Sequence, residues 1–469
     1  MLLERLPHDG QRPQYHFLPP RNWMNDPNGS IHWQGEYHLF YQHYPYGAYW
    51  NDMHWGHAVS KDLVHWEDKP IALYPTPDSV DQDGVFSGCA FDNNGVPTIM
   101  YTGVRGRNQL PCLATGNDDL SQITKFAGNP VVPAPPDTYE VNGFRDHAVW
   151  REGEKWYQLV GAGFKGVGGA ALLYRSPDLI NWEYVQPILV GDPATTGTMW
   201  ECPDFFPLGN KHVLIISPIP LKKAIYFVGA YKNHTFTPEQ RWSMDDGGHY
   251  YAPQSFWDES GRRLIWGWLW EGRSREAQIA SGWAGVMSLP RVLELDEAGY
   301  MRQSVAPELQ RLRGEHTELG EMELAAGMEN RLTAVRSTTF ELLAEFDQLD
   351  HVDLVLKVRC SPDGEEETAV TFNSEYGTLR IDRTKSSLDP ETHKSEYHGL
   401  VPLTSQDSLT LHIFVDNSVI EVFANGRTVL AGRVYPTRED SDGIWLGVEG
   451  NGRCRLKKLD IWQMGSIWE

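Results

Sequence analysis

Cysteine is scarce in this chain of 469 residues: five thiols, at Cys89, Cys112, Cys202, Cys360 and Cys454, with no CxxC pair among them. An odd, scattered set makes neither a disulfide framework nor a zinc site. It reads as reduced structural thiols and points to the cytoplasm. Long apolar runs are missing as well. VLIISPIP (213–220) is too short for a membrane span and holds two prolines. The apolar start of the chain is broken by Glu4 and Arg5, so no signal-peptide core is expected. Positive charge is outnumbered, 41 Lys and Arg against 63 Asp and Glu. The net −22 is a poor surface for nucleic acid or an anionic membrane, and neither partner is expected.

Signature motifs of several enzyme classes are also lacking. There is no HExxH, no GxSxG and no phosphate-loop lysine. His54 and His57 share a strand-like segment without a carboxylate cluster at ligand spacing, so neither a metal nor a cofactor is expected. GAGFKG (161–166) matches the dinucleotide fingerprint GxGxxG, but that fingerprint needs a helix next. The next residues, VGGAALLYRS, read as a strand, and nucleotide binding is rejected.

Tryptophan, by contrast, is plentiful and uneven: fifteen of the eighteen precede residue 300. Indoles stack on sugar C–H faces, although packing between sheets is the commoner use. The same region carries a weak repeat. SKDLVHW, NDDLSQI and SPDLINW place Asp62, Asp119 and Asp178 at intervals of 57 and 59 residues. Each copy lies between strand-like runs. Five segments in turn share a strand, a turn (Gln34-Gly35, Asn94-Gly95, Glu152-Gly153, Gly209-Asn210, Ser260-Gly261) and an apolar strand. A period of this length with several strands per unit predicts an all-β, five-bladed propeller. After Arg291 the pattern changes. APELQRLRG reads as a short helical linker, and alternating runs such as Leu354, Leu356, Val358, Cys360 predict a β-sandwich. The expected division is a propeller over 1–302, a linker over 303–314 and a sandwich over 315–469.

In a propeller the first strand of every blade runs beside the axis. Asp26 opens the first unit, Asp146 the third and Glu201 the fourth, so three carboxylates distant in sequence are expected in one funnel. Hydrolysis of a glycosidic bond usually requires two such groups, one ionised and one protonated. Singly, each has a plainer explanation. Asp26 in WMNDPNG could be an Asx-turn residue, Asp146 a local partner of Arg145, and Glu201 a glutamate paired with an arginine. The neighbours Trp200 and Cys202 suggest apolar surroundings for Glu201, which would suit a general acid.

WMNDPNG, FYQ, HWGHAVSKDLVHW, VFSGCA, FRD, WECPDFF and GWAGVMSLPR, in this order and spacing, resemble glycoside hydrolase family 32. The resemblance spans the propeller, and the C-terminal part also looks like that family's second domain. It implies a retaining β-fructofuranosidase acting on sucrose and short β-fructosides, with Asp26 as nucleophile, Glu201 as acid/base and Asp146 as stabiliser of the transition state. It further implies fructose contacts from Asn25, Gln42, Trp50, Phe86, Ser87, Arg145 and Trp283, with Trp23, Trp55 and Tyr251 on the rim or wall. A sucrose-6-phosphate hydrolase or an exo-levanase or inulinase are close variants; a non-catalytic sugar-binding propeller is the alternative of another class. The expected partner is a small sugar, and the chain leaves room for a homo-oligomer. One position departs from the family pattern: His147 follows the Arg-Asp pair where proline is usual.

Overall fold

Twenty strands make five four-stranded antiparallel units. The first blade is Asn22–Trp33, Glu36–Tyr44, His54–Ser60 and Glu67–Leu73; the second Gly84–Asp92, Pro97–Arg105, Asn108–Gly116 and Ile123–Lys125. The third is Val141–Glu152, Lys155–Phe164, Gly168–Ser176 and Glu183–Val190; the fourth Met199–Leu208, Lys211–Ile219, Ile225–Lys232 and Thr235–Ser243. The fifth is Tyr250–Trp257, Arg263–Leu269, Arg291–Leu295 and Met301–Val305. This computed structural model describes residues 3–7, 9–403 and 407–468. Within the fifth blade, an insertion between the second and third strands sends Trp283–Ala284 to pair in parallel with Asn22 and Trp23, which closes the ring onto blade one.

Local chemistry explains the repeats. In each of the three Asp-Leu copies the leucine takes a left-handed backbone (Leu63 φ 66°, Leu120 φ 55°, Leu179 φ 68°) and is buried. The preceding aspartate stabilises this by accepting main-chain N–H groups beyond the turn: Val64 and His65 for Asp62, Ser121 for Asp119, Ile180 and Asn181 for Asp178. The repeat is therefore an Asx turn joining the third and fourth strands of blades one to three. The glycines of GAGFKG have a packing role. A Cβ at Gly161 would lie 2.3 Å from the Trp200 carbonyl oxygen, and one at Gly163 2.1 Å from that of Thr198. They let blade four approach blade three, and Gly168–Ser176 is the strand that the rejection of a nucleotide fold anticipated.

Where a helical linker was expected, a six-residue 3₁₀ helix, Pro307–Leu312, follows blade five. The sandwich then forms from two sheets. One runs in the order Arg313–Leu319, Arg453–Met464, Thr339–Asp350, Leu409–Asp416, Val419–Ala424, Thr428–Arg433, with Met322–Ala325 beside Arg453–Met464. The other is Glu396–Leu400, Thr378–Asp382, Thr368–Asn373, Asp353–Cys360, Gly443–Glu449. Leu354, Leu356, Val358, Leu411 and Ile413 fill the space between them.

Propeller and sandwich meet through buried charge. The guanidinium of Arg291, fully buried in blade five, bonds Asp245 at 2.9 Å and Glu421 of the sandwich at 2.5 Å. Glu421 also accepts the Leu289 N–H at 2.6 Å and lies 3.1 Å from His16, whose other ring nitrogen is 2.8 Å from Asp416. Burial alone would push the Glu421 carboxyl up, yet Arg291 and His16 hold it below its ordinary range. A second clamp pairs Arg433 of the sandwich with Glu271 of the propeller.

Removing one partner of a buried, hydrogen-bonded ion network leaves the others uncompensated. Arg291→Met is expected to lower unfolding free energy by about 3–5 kcal/mol. Urea titration followed by tryptophan fluorescence measures this; a loss below about 1 kcal/mol, the scale of a surface pair, would mean that Arg291 is no clamp.

Candidate active site

Every innermost strand slips register, and those of blades one and three do so twice, with a second slip between Asn28 and Ile31 and between Val141 and Phe144. The slips that bear on the site fall between Met24 and Pro27, Phe86 and Gly88, Arg145 and His147, Glu201 and Asp204, and Tyr251 and Gln254. A β-bulge turns one extra residue out of the alternation and re-aims its side chain. Asp146 (φ 64°), Cys202 (φ 45°) and Ala252 (φ 48°) stand at these points in the left-handed region, a strained backbone for non-glycine residues. Proline follows the bulge in three blades, at Pro27, Pro203 and Pro253, where no ladder N–H is required.

The bulges gather three carboxylates. Asp26 Oδ2 accepts the Ser87 hydroxyl at 2.7 Å, and Oδ1 accepts Asn25 Nδ2 at 3.0 Å. Asn25 is itself held by the Trp23 indole N–H at 2.8 Å. Asp146 Oδ2 accepts the Cys202 N–H at 2.9 Å. The Cys202 thiol lies 3.6 Å from both Asp26 Oδ2 and Asp146 Oδ2. Glu201 Oε1 accepts Arg145 at 2.6 and 3.2 Å, and Oε2 accepts the Tyr251 hydroxyl at 2.7 Å. The apolar surroundings expected for Glu201 are therefore absent. Strand alternation sends Trp200 into the core between blades, where its N–H meets the Thr196 carbonyl, and leaves Glu201 on the polar side.

Gln42 is buried and donates to the Val85 carbonyl at 3.0 Å, tying blade one to blade two. Half-exposed Trp50 meets Phe86 edge-on at 5.9 Å on the open side. Two expected sugar contacts do not reach the funnel. Trp55 is wholly buried beside Phe40 and donates to the Phe86 carbonyl. Trp283 is wholly buried too, with its N–H on Asp9 and Arg273 over its ring. Both are inter-blade packing residues, the commoner use of indoles. Sequence reasoning missed Trp268, which meets Trp23 edge-on at 5.9 Å and pairs in the sheet with Tyr251. It also missed Gln109, 2.9 Å from Arg145, and Thr102, which accepts the Asp146 N–H at 3.0 Å. The hairpin register of blade five would have placed Trp268; Gln109 and Thr102 act across blades and left no local pattern.

Burial pushes the Asp146 carboxyl up to about 7; Arg145 opposes this, while Glu201 and Asp26 add to it. Burial and the Glu201 charge raise Asp26 as well. Such a cluster retains a proton to near neutrality that the unfolded chain gives up at ordinary carboxylate pH. The stability due to that proton is full at low pH and is lost as pH rises through about 7. Asp146→Asn should escape this loss. It is expected to exceed the wild type in unfolding free energy by on the order of 1 kcal/mol or more at pH 8 and to match it near pH 3, below the unfolded carboxylate value. Denaturant titrations at the two pH values check this; an equal difference at both would exclude the Asp146 proton as its source.

Known proteins share this plan. Residues 16–304 match the Glycosyl hydrolases family 32 N-terminal domain and residues 308–463 the Glycosyl hydrolases family 32 C terminal domain. A sucrose-6-phosphate hydrolase of Zymomonas mobilis is 36% identical over 93% of this chain and 90% of its own. A raffinose invertase of Escherichia coli is 35% identical over 96% and 95%. The crystal structure of fructan 1-exohydrolase IIa from Cichorium intybus superposes with a TM-score of 0.90 at 27% identity, covering 98% of each chain. With both domains matched and the propeller-sandwich architecture shared, the chain belongs to family 32 of the glycosyl hydrolases.

Proposed function

We propose that this β-fructofuranosidase cleaves sucrose by double displacement, with Asp26 as nucleophile, Glu201 as acid/base and Asp146 as the carboxylate that grips the fructosyl hydroxyls. The observation that carries this is the convergence of the three side chains, each with a different set of partners. Asp26 is aimed by Ser87 and Asn25, so an oxygen is presented in fixed orientation to an anomeric carbon. Attack forms a fructosyl ester as the glycosidic C–O bond breaks, and the leaving oxygen takes its proton from Glu201. Water then attacks the ester, giving a proton to Glu201 and returning Asp26 to its carboxylate. Both Glu201 oxygens are occupied in the free protein, by Arg145 and by Tyr251. Release of one of them frees Glu201 to meet the leaving oxygen. Arg145 is the group placed to move, since the fructosyl hydroxyls beside Asp146 offer it new partners.

Asn25, Ser87, Phe86 and Arg145 form the fructosyl pocket, and Gln42 braces it from below. The leaving group lies outward, toward Trp50, Trp23 and Trp268. The relatives' names, with sucrose-6-phosphate and raffinose among them, support a pocket fixed for fructose and an open side that varies. The catalytic unit is assigned to residues 1–302, and residues 315–469 are assigned a structural role. A cytoplasmic location is supported by five unpaired cysteines, and no helix among the described residues is long and apolar enough to cross a membrane.

Glu201→Ala is expected to lose about 10²–10⁴-fold in kcat on sucrose, the worth of general acid–base help. Azide needs no base to attack the ester, so it should speed turnover of Glu201→Ala on a fructoside with a good leaving group. It should leave Asp26→Ala without that response, because no ester forms. Rescue of both variants, or of neither, would redraw the roles.

A further inference from the structure

Three of the five bulges are followed by proline; blade three has His147 at that position and blade two Gly88. The imidazole of His147 is buried, and its Nε2 lies 3.1 Å from Thr102 Oγ1. Thr102 sits on the second strand of blade two, and its hydroxyl has two other partners. It accepts the main-chain N–H of Asp146 at 3.0 Å and donates to the Ser87 carbonyl at 3.0 Å. A hydroxyl has one proton and two lone pairs. With the proton on Ser87 and one lone pair on Asp146, only an acceptor site remains for His147. The ring must therefore carry its proton on Nε2 and leave Nδ1 bare. Nδ1 has no hydrogen-bond partner among the described residues. Burial holds this imidazole neutral, pushed down to about 3. The same contact recurs between blades four and five. There the Ser217 hydroxyl takes the N–H of Ala252 at 3.1 Å, and the next residue is Pro253. At Pro253 the ring fixes φ covalently and no imidazole is present; at His147 an imidazole is hydrogen-bonded to the corresponding hydroxyl instead.

We infer that His147 is a positioning residue: by donating from Nε2 to Thr102, it locks the hydroxyl that ties the Asp146 and Ser87 bulges together. Its effect reaches both aspartates. Asp146 is carried on the strained backbone whose N–H Thr102 holds, and Ser87 orients Asp26. His147 touches no reacting atom. This rests on the reading of Asp146 and Asp26 as members of the catalytic set. Because those groups act most strongly on the transition state, the loss on removing His147 should fall on kcat rather than KM.

Asparagine at 147 keeps a polar group near the Nδ1 position but cannot reach Thr102; glutamine can place an N–H where Nε2 was. His147→Asn is expected to lower kcat on sucrose about tenfold, the scale of one lost buried hydrogen bond, with KM changed less than about twofold. His147→Gln should recover most of the loss. In a Thr102→Val background, His147→Asn should cost less than about twofold more, because the shared hydroxyl is already gone. Full kcat in His147→Asn, equal losses in Asn and Gln variants, or additive losses with Thr102→Val would overturn the inference. If the catalytic reading itself failed, Asp146→Asn would remain active, an outcome separate from any of these. Should the asparagine variant not fold, histidine-selective 15N spectra of the unaltered protein decide. A neutral Nε2–H imidazole for His147 between pH 5 and 8 is expected, and an Nδ1–H or cationic ring would overturn the proposal.

Discussion

The constraint on which the rest depends is the register slip that each innermost strand makes at the site. A regular strand passing the axis would alternate its side chains between one inter-blade space and the next. None would point down the funnel. One extra residue at each of these slips breaks that alternation and directs Asp26, Ser87, Asp146 and Cys202 inward. The arrangement is costly in backbone terms, because three bulge residues hold positive φ without being glycine. Such strain persists only where the surroundings over-determine it. They do so here with hydrogen bonds that cross from blade to blade: Thr102 to Asp146, Asp146 to Cys202, Ser217 to Ala252. The ring of blades is thus held together at the level where chemistry is expected.

Electrostatics adds a second cost at the site. Three carboxylates share a buried region with one guanidinium, that of Arg145. Burial raises the pKa of both aspartates, and each is raised further by its acidic neighbours. The funnel is therefore a locally destabilised part of the molecule, as sites built for differential binding tend to be. Stability is supplied elsewhere. The ring closes through Trp283–Ala284 on blade one, and the sandwich grips blade five through Arg291, Asp245 and Glu421. Glu421 is held below its ordinary range by Arg291 and His16, and Glu271 by Arg273 and Arg433, although burial still raises Asp245. A sandwich remote from the funnel can in this way determine whether a strained funnel persists.

How much of this was legible in the sequence depends on how local each cause is. Turns with Gly or Asn, the Asp-Leu repeats and the alternating sandwich runs are set by a few adjacent residues, and the five blades followed from them. Convergence of Asp26, Asp146 and Glu201 followed in turn from the topology. The surroundings of Glu201 did not. Trp200 and Cys202 adjoin it in sequence, but a strand sends neighbours to opposite faces, so its real partners come from blades three and five. Trp55 and Trp283 were drawn into the site by motif position, and packing took them to the core instead. Gln109 and Thr102 gave no signal because each acts across a blade boundary. The 3₁₀ helix at Pro307–Leu312 is too short for helical periodicity to have a length to show.

The bulges divide the site into a part that is fixed and a part that can vary. The proposed fructosyl side is built from strand residues whose positions are tied to backbone geometry: a change at Asn25, Ser87 or Arg145 disturbs the bonds that orient Asp26 and Glu201. On the proposed leaving-group side, Trp50 sits on the long loop between the second and third strands of blade one, exposed and edge-on to Phe86. A loop can change length or sequence without altering a register. A scaffold so divided keeps its fructose half while the outer half changes with the sugar that departs. Relatives named for a sugar phosphate, a trisaccharide and a fructan are what that physical division allows.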